Sequence, residues 1–347
     1  MLEALCDLYP EADIYTHVYD EKKISDKIKK HNVLTTFINR LPFAKKLYPY
    51  YLPLMPIALE QIDLSDYDLI ISSESGPSKG VVTPPDSVHI CYCHSPMRYV
   101  WDMYHEYIRN SSFFVRLVMR PFIHYLRMWD ALAASRVDAY IANSEFVASR
   151  VQKYYRRSAT VINPPVSMDK FYISDEVKSY YLYVGQLVPY KMAALAVHAF
   201  NSSGKRLVII GDGPMYNELK RLAGSNIELL GWQSDEKLSW YYANCRALIF
   251  PGIEDFGIVP LETMASGRPV IAFNKGGATE TVIEGQTGMF FDAQSSEVLN
   301  ECIERFEVEE SEFVPEVIRA HAETFDESSF RDQLKKFISK SLQKSRS

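Results

Sequence analysis

Short apolar runs alternate along the whole chain with stretches in which apolar side chains recur at helical spacing. In the first half the apolar runs predict strands at Asp13–Val18, Tyr67–Ser72, Val88–Cys93, Ala139–Ala142 and Thr160–Ile162. In the second half they predict strands at Tyr180–Val184, Arg206–Ile210, Ile227–Leu230, Ala247–Phe250, Pro269–Ala272 and Gly288–Phe291. Most of these runs are apolar on both faces, and a helix-like stretch or a Gly turn follows each, which is the pattern of parallel sheets covered by helices. The Asn163-Pro164-Pro165-Val166 segment reads as a stiff linker. The expected fold is therefore α/β, with two doubly wound, Rossmann-like domains facing a ligand cleft: residues 1–166 and residues 167–326. In the stretch 327–345, Phe330, Leu334 and Phe337 recur at helical spacing and predict a terminal helix.

The start of the chain departs from this pattern. A doubly wound domain opens with a strand, a Gly-rich turn and a helix. Met1 to Leu8 already reads as that first helix, and a strand follows at once. The first strand and its glycine turn are missing, so the expectation is a truncated first domain, which puts activity in doubt.

Composition narrows the class. The 347 residues suffice for two domains, and 47% hydrophobic with 24% charged residues describes a water-soluble globular chain. A net charge of −6 argues against nucleic acid as a partner. No apolar run reaches the ~18 residues that span a bilayer, and no signal peptide is visible. The five cysteines (Cys6, Cys91, Cys93, Cys245 and Cys302) form no disulfide-like pattern and fit a reducing cytoplasm. Cys91, Cys93 and His94 lie close in sequence, but there is no second ligand cluster, so buried strand cysteines are the stronger reading and no metal is expected.

The densest chemistry lies at Glu254-Asp255-Phe256-Gly257-Ile258-Val259-Pro260-Leu261-Glu262. A buried strand precedes it, and a helix is expected to begin near Gly257. A helix start offers unpaired N–H groups and the positive end of the dipole to a phosphate. Glu254 on the loop and Glu262 near the second turn could then flank one extended ligand, the first holding a sugar and the second a ribose. Two glutamates alone more often belong to a solvated loop. Here a further strand, Gly267-Arg268-Pro269-Val270-Ile271-Ala272, and the turn Gly276-Gly277-Ala278-Thr279-Glu280 follow in order. The whole run resembles the donor-binding domain of glycosyltransferase family 4, the retaining GT-B enzymes, which carry a Glu-x7-Glu motif at this point.

That resemblance implies roles elsewhere. After the strand Tyr180–Val184 the family has an arginine and, five residues on, a lysine, both neutralising the donor diphosphate; Lys191 matches the lysine and the uncharged Gln186 replaces the arginine. This variant is similar to a bacterial O-antigen and exopolysaccharide mannosyltransferase subgroup, although Met192 stands where that subgroup often has a base. The turn Gly211-Asp212-Gly213-Pro214 resembles a nucleotide-side turn of the family, and a tight turn required by topology explains it equally well. It lacks the third glycine of a nicotinamide fingerprint. Trp232 and Gln233 are implied to face the base, while packing equally accounts for Trp232. Phe256, Gly257, Ile258 and Val259 would supply the diphosphate's helix start. In the first half, His94-Ser95-Pro96-Met97-Arg98-Tyr99 resembles a segment of the same subgroup. It implies His94 against the donor sugar, with Arg98, Tyr99 and Asp102 as acceptor or donor contacts or as local structure.

The implied function is transfer of a sugar, mannose from GDP-mannose, onto a lipid-linked glycan acceptor, with Glu254, Lys191 and His94 as the chemical centre and with neither cofactor nor metal. The rival is a non-catalytic or truncated sugar-nucleotide-binding GT-B protein. The implied location is cytoplasmic, peripheral on the inner membrane. Asn39 to Met55 and Phe113 to Leu132 mix aromatic, apolar and basic residues, as an anionic membrane surface or ordinary packing would require.

Overall fold

The computed structural model describes residues 1–105 and 113–345. The chain divides into two compact units, one of Met1–Ile162 with the residues from Arg331 onward, the other of Asn163–Phe330. The division falls at the Asn163-Pro164-Pro165 segment.

In the first unit, strands β1 (Ile14–Thr16) and β2 (Val33–Thr35) form a parallel pair. Strands β3 (Leu69–Glu74), β4 (Val88–Cys93), β5 (Ala139–Ala142) and β6 (Ala159–Val161) form a separate parallel sheet in that order. The first unit therefore departs from the single sheet that a doubly wound domain implies. Side chains meet near the break: the Tyr15 and Tyr67 hydroxyls are 3.2 Å apart, and Tyr67 donates to Asp13. Strand β4 is buried along its whole length. It tolerates His89 because the ring bonds Ser72 Oγ (2.9 Å) and the backbone N–H bonds Asp138 (2.8 Å). The helix Glu145–Tyr155 begins at Ser144, whose hydroxyl accepts from the Val147 N–H. The helix Glu327–Ser345 runs from the second unit into the first, where Arg331 pairs with Asp7 at 2.6 Å.

In the second unit, β7 (Tyr180–Val184), β8 (Arg206–Ile210), β9 (Ile227–Gly231), β10 (Leu248–Phe250), β11 (Val270–Phe273) and β12 (Gly288–Phe291) make one parallel sheet. Its order is β12-β11-β10-β7-β8-β9. Chain direction across the sheet reverses between β7 and β10, so the loops leaving these neighbouring strands diverge and open a crevice. The strands are apolar on both faces because helices cover both. On one face the Tyr181 ring meets Phe200 at 5.3 Å and Phe306 at 6.1 Å, edge to face, pinning the helices Ala193–Ser203 and Ser296–Glu309 to the sheet.

Candidate functional site

The crevice at the β7/β10 reversal gathers most of the predicted donor residues. Lys191 ends the loop after β7 and Glu254 lies in the loop after β10; Nζ and Oε1 are 3.0 Å apart, and both side chains are about four-fifths buried. The position of Lys191 is fixed from behind. Its carbonyl accepts from Tyr183 Oη at 3.2 Å, and Met192 beside it has a left-handed backbone (φ 57°), a conformation costing of order 1–3 kcal/mol that the surrounding structure must hold. A Cβ on Gly252 would come within 2.9 Å of Lys191 Cα, so the two loops touch backbone to backbone.

Gly211 and Gly213, expected on the donor or as a tight turn, are required by the packing of the neighbouring loop. A Cβ on Gly211 would lie 1.9 Å from the Gly185 carbonyl oxygen, and one on Gly213 2.5 Å from that of Leu187. Both glycines are bare because the Gly185–Leu187 backbone lies directly on them, so they hold the loop that presents the exposed Gln186. Phe256, expected at the diphosphate's helix start, has its side chain in the core against Phe325, at 6.1 Å, so it can meet a ligand only through its backbone. Beneath it, a Cβ on Gly277 would lie 2.3 Å from Phe256 Cα, and the Gly277 N–H bonds the Glu254 carbonyl at 2.9 Å.

Gly257, at φ 92°, precedes the helix Ile258–Ala265, whose first turn takes no side-chain cap among the described residues. Its N–H groups at Ile258 and Val259 suit an anion. One helical turn on, Glu262 Oε2 accepts from Tyr242 Oη at 2.8 Å. Burial raises the Glu262 pKa, opposed by the Tyr242 bond and by Lys170. Sequence reasoning missed Tyr242, which lies on the helix Asp235–Asn244 with no spacing to tie it to Glu262. Trp232, after β9, is 76% exposed, so core packing does not explain it. The Gln233 side-chain amide donates to the Leu230 carbonyl at 2.8 Å.

In the first unit His94 follows β4. Its N–H bonds the Glu74 carbonyl at 2.7 Å, its carbonyl accepts from Asn143 Nδ2 at 3.0 Å, and its ring Nε2 meets Ser73 Oγ at 3.0 Å. Burial pushes the ring down to about 4, so it is neutral at pH 7 and acts as a hydrogen-bonding group. The segment after it is held by Arg150, a residue that no sequence signal marked. Arg150 donates to Ser95 Oγ (2.9 Å), the Pro96 carbonyl (3.4 Å) and Asp102 Oδ1 (2.7 Å). Asp102 is thereby a structural partner rather than a free acid. Tyr99 gives its hydroxyl to Met97 Sδ at 3.0 Å, and Arg98 Nη1 lies 3.9 Å from Met103 Sδ. Cys91 and Cys93 are reduced and wholly buried, with their thiols pushed up by burial. Among the described residues no three His, Cys, Asp or Glu side chains converge as a cation site.

The family model Glyco_transf_4, described as Glycosyltransferase Family 4, matches residues 1–170, and Glycosyl transferases group 1 matches residues 168–323. The chain belongs to glycosyltransferase family 4. Among the relatives of this family 4 chain, an uncharacterized glycosyltransferase of Methanocaldococcus jannaschii is 30% identical over 182 residues, covering 51% of this chain and 52% of the relative. A GDP-mannose-dependent phosphatidylinositol monomannoside mannosyltransferase of Mycobacterium tuberculosis is 34% identical over 130 residues, covering 32% and 34%. The alpha-1,3/1,6-mannosyltransferase ALG2 of Dictyostelium discoideum is 52% identical over 56 residues, covering 16% and 13%. The matches therefore span about half or less of these relatives' lengths. The fold is that of GT-B glycosyltransferases. Sucrose-phosphate synthase of Thermosynechococcus elongatus superposes with a TM-score of 0.74 at 20% identity, over 97% of this chain and 90% of its own. HepE of Anabaena, solved with UDP and glucose, gives 0.72 at 17% identity over 97% and 94%.

Proposed function

We propose that this family 4 chain is a retaining glycosyltransferase that moves mannose from GDP-mannose to a lipid-linked glycan acceptor in cell-surface polysaccharide synthesis. The observation that carries this reading is the Lys191–Glu254 pair at the strand-order reversal, beside an uncapped helix start. A cation and N–H groups suit a leaving diphosphate, and a carboxylate suits sugar hydroxyls. The mannosyltransferases among the relatives support mannose as the sugar.

In this reading the bond between the anomeric carbon and the diphosphate oxygen breaks while the acceptor hydroxyl attacks from the same face. The acceptor proton passes to the departing phosphate oxygen. Lys191 and the N–H groups of Ile258 and Val259 stabilise the charge that develops there; Gln186 adds a hydrogen bond without charge. Glu254 orients the sugar, Glu262 the ribose, and the neutral His94 takes a substrate hydroxyl. Neither metal nor cofactor is assigned a step.

The second reading, a sugar-nucleotide-binding protein without turnover, is favoured by the divided first sheet and by the uncharged Gln186. Thermal unfolding with nucleotide sugars, followed by a transfer assay, separates the two. At 100 times its dissociation constant a donor stabilises the fold by about 2.7 kcal/mol. GDP-mannose should raise the melting temperature of the wild type and not of Lys191→Ala, and UDP-glucose should raise neither. A shift with UDP-glucose alone overturns the donor, and a shift with GDP-mannose but no transfer to any lipid-linked acceptor favours the second reading.

A further inference from the structure

We infer that Tyr242 is a positioning residue that holds Glu262 against the nucleotide's ribose and thereby sets the preference for ribonucleotides over deoxyribonucleotides. The inference rests on the assignment of Glu262 to the ribose.

A glutamate side chain has three rotatable bonds, and a free one presents its oxygens in many directions at an entropic cost when one is selected. Glu262 has that choice removed. The Tyr242 ring is wholly buried and packs edge to face on Phe171 at 5.9 Å. Its backbone carbonyl accepts from Cys245 Sγ at 3.3 Å. The phenol therefore points where the helix Asp235–Asn244 puts it, towards the helix Ile258–Ala265. It gives its single proton to Glu262 Oε2 at 2.8 Å, the one hydrogen bond of this carboxylate among the described residues. Burial keeps the phenol protonated far above neutral pH, so it is a permanent donor. The two charged groups that also act on Glu262, Lys170 and Asp235, pair with each other at 3.3 Å, leaving the tyrosine to orient it. One oxygen of Glu262 is fixed by protein, and the other keeps its lone pairs for the hydroxyls of a vicinal diol. The bond ties two helices together through residues twenty apart in the chain and leaves the second oxygen of Glu262 open.

The test is the dissociation constant of the full chain for GDP and UDP, each against its 2′,3′-dideoxy form, read as the ratio of deoxy to ribo values for whichever base binds more tightly. The wild type should favour the ribonucleotide, and Glu262→Ala should bring the ratio close to one. Tyr242→Phe should lower the ratio about tenfold, the loss expected from one hydrogen bond to a charged group, with the dideoxy affinity unchanged. Incorporating p-aminophenylalanine at position 242, which restores an N–H donor at the same place, should return the ratio to the wild-type value. A collapsed ratio in Glu262→Ala with a wild-type ratio in Tyr242→Phe overturns the inference and leaves the ribose assignment standing. An unchanged ratio in Glu262→Ala overturns the assignment itself and the inference with it. Should Tyr242→Phe not fold, failure of the p-aminophenylalanine protein to keep the wild-type ratio overturns the inference.

Discussion

Lys79 is wholly buried, and its ammonium lies between the carboxylates of Glu74, at 3.1 Å, and Asp130. Trp101 Nε1 holds the other Asp130 oxygen at 2.7 Å, and Ser78 and the Lys79 N–H hold Glu74. Removing the one cation leaves two carboxylates facing each other without water. Lys79→Met is expected to destabilise the protein by about 3–5 kcal/mol, measured by chemical denaturation; a loss under 1 kcal/mol would mean that water or a proton replaces the lysine cheaply. Nothing in the sequence marked this cluster, since Asp130 lies 51 residues from Lys79. Three histidines set a pH dependence. Burial pushes His17, His89 and His94 down to about 4. The unfolded chain protonates them near 6.5, so between about pH 6.5 and 4 it binds more protons than the folded one and stability falls as pH falls. Glu74 and Glu262, raised by burial, pull the other way in acid. His89→Gln isolates one contribution: its melting temperature should fall less than that of the wild type between pH 7 and 5, and an equal fall would show that His89 titrates normally. His89 Nδ1 has no protein partner among the described residues, so a proton there would be buried unpaired.

At the scale of elements, strands were legible wherever they were apolar on both faces. All six strands of the second unit lie within a residue or two of their apolar runs, because a central parallel strand must be apolar throughout. Strand β2 escaped because three residues, Val33–Thr35, carry little pattern. The loops behaved differently. Their glycines could be read as ligand contacts or as turn formers, and only the built backbone shows which neighbour fills the missing side chain. Gly277→Ala tests this. Its Cβ would lie within 2.5 Å of the Phe256 Cα, C and O atoms, and overpacking of this kind costs about 1–3 kcal/mol. The backbone that must yield carries Glu254, so the denaturation midpoint and the thermal shift with a donor should both drop. A loss of stability with donor binding intact would separate the turn from the site.

Over the whole molecule, one surface presents large aromatic side chains to solvent. Phe43 and Tyr50 are 75% and 79% exposed on the short helical turns between Phe37 and Leu54, among Arg40, Lys45 and Lys46. No helix among the described residues is long and apolar enough to cross a membrane. Aromatic tips among cations suit an anionic bilayer surface, which supports the lipid-linked acceptor. The chain should sediment with phosphatidylglycerol vesicles at low salt, and Phe43→Ser with Tyr50→Ser should abolish it; equal sedimentation of both proteins would remove this surface from the argument. In the other segment that a membrane surface or ordinary packing could explain, Arg127 bonds the Val100 carbonyl at 2.6 Å and lies 5.6 Å from the Trp101 ring, as packing requires. The sequence by itself determined the fold class and the succession of strands along the chain, because burial periodicity acts over neighbouring residues, and the resemblance to the family singled out Lys191, Glu254 and Glu262 as the candidate site. Only the tertiary structure decided that the first sheet is divided, that Asp102 answers to Arg150, that Gly211 and Gly213 support a loop, and that Glu262 is held by Tyr242. Each of those depends on contacts between residues far apart in the chain, and local patterns carry no record of which distant side chain will arrive.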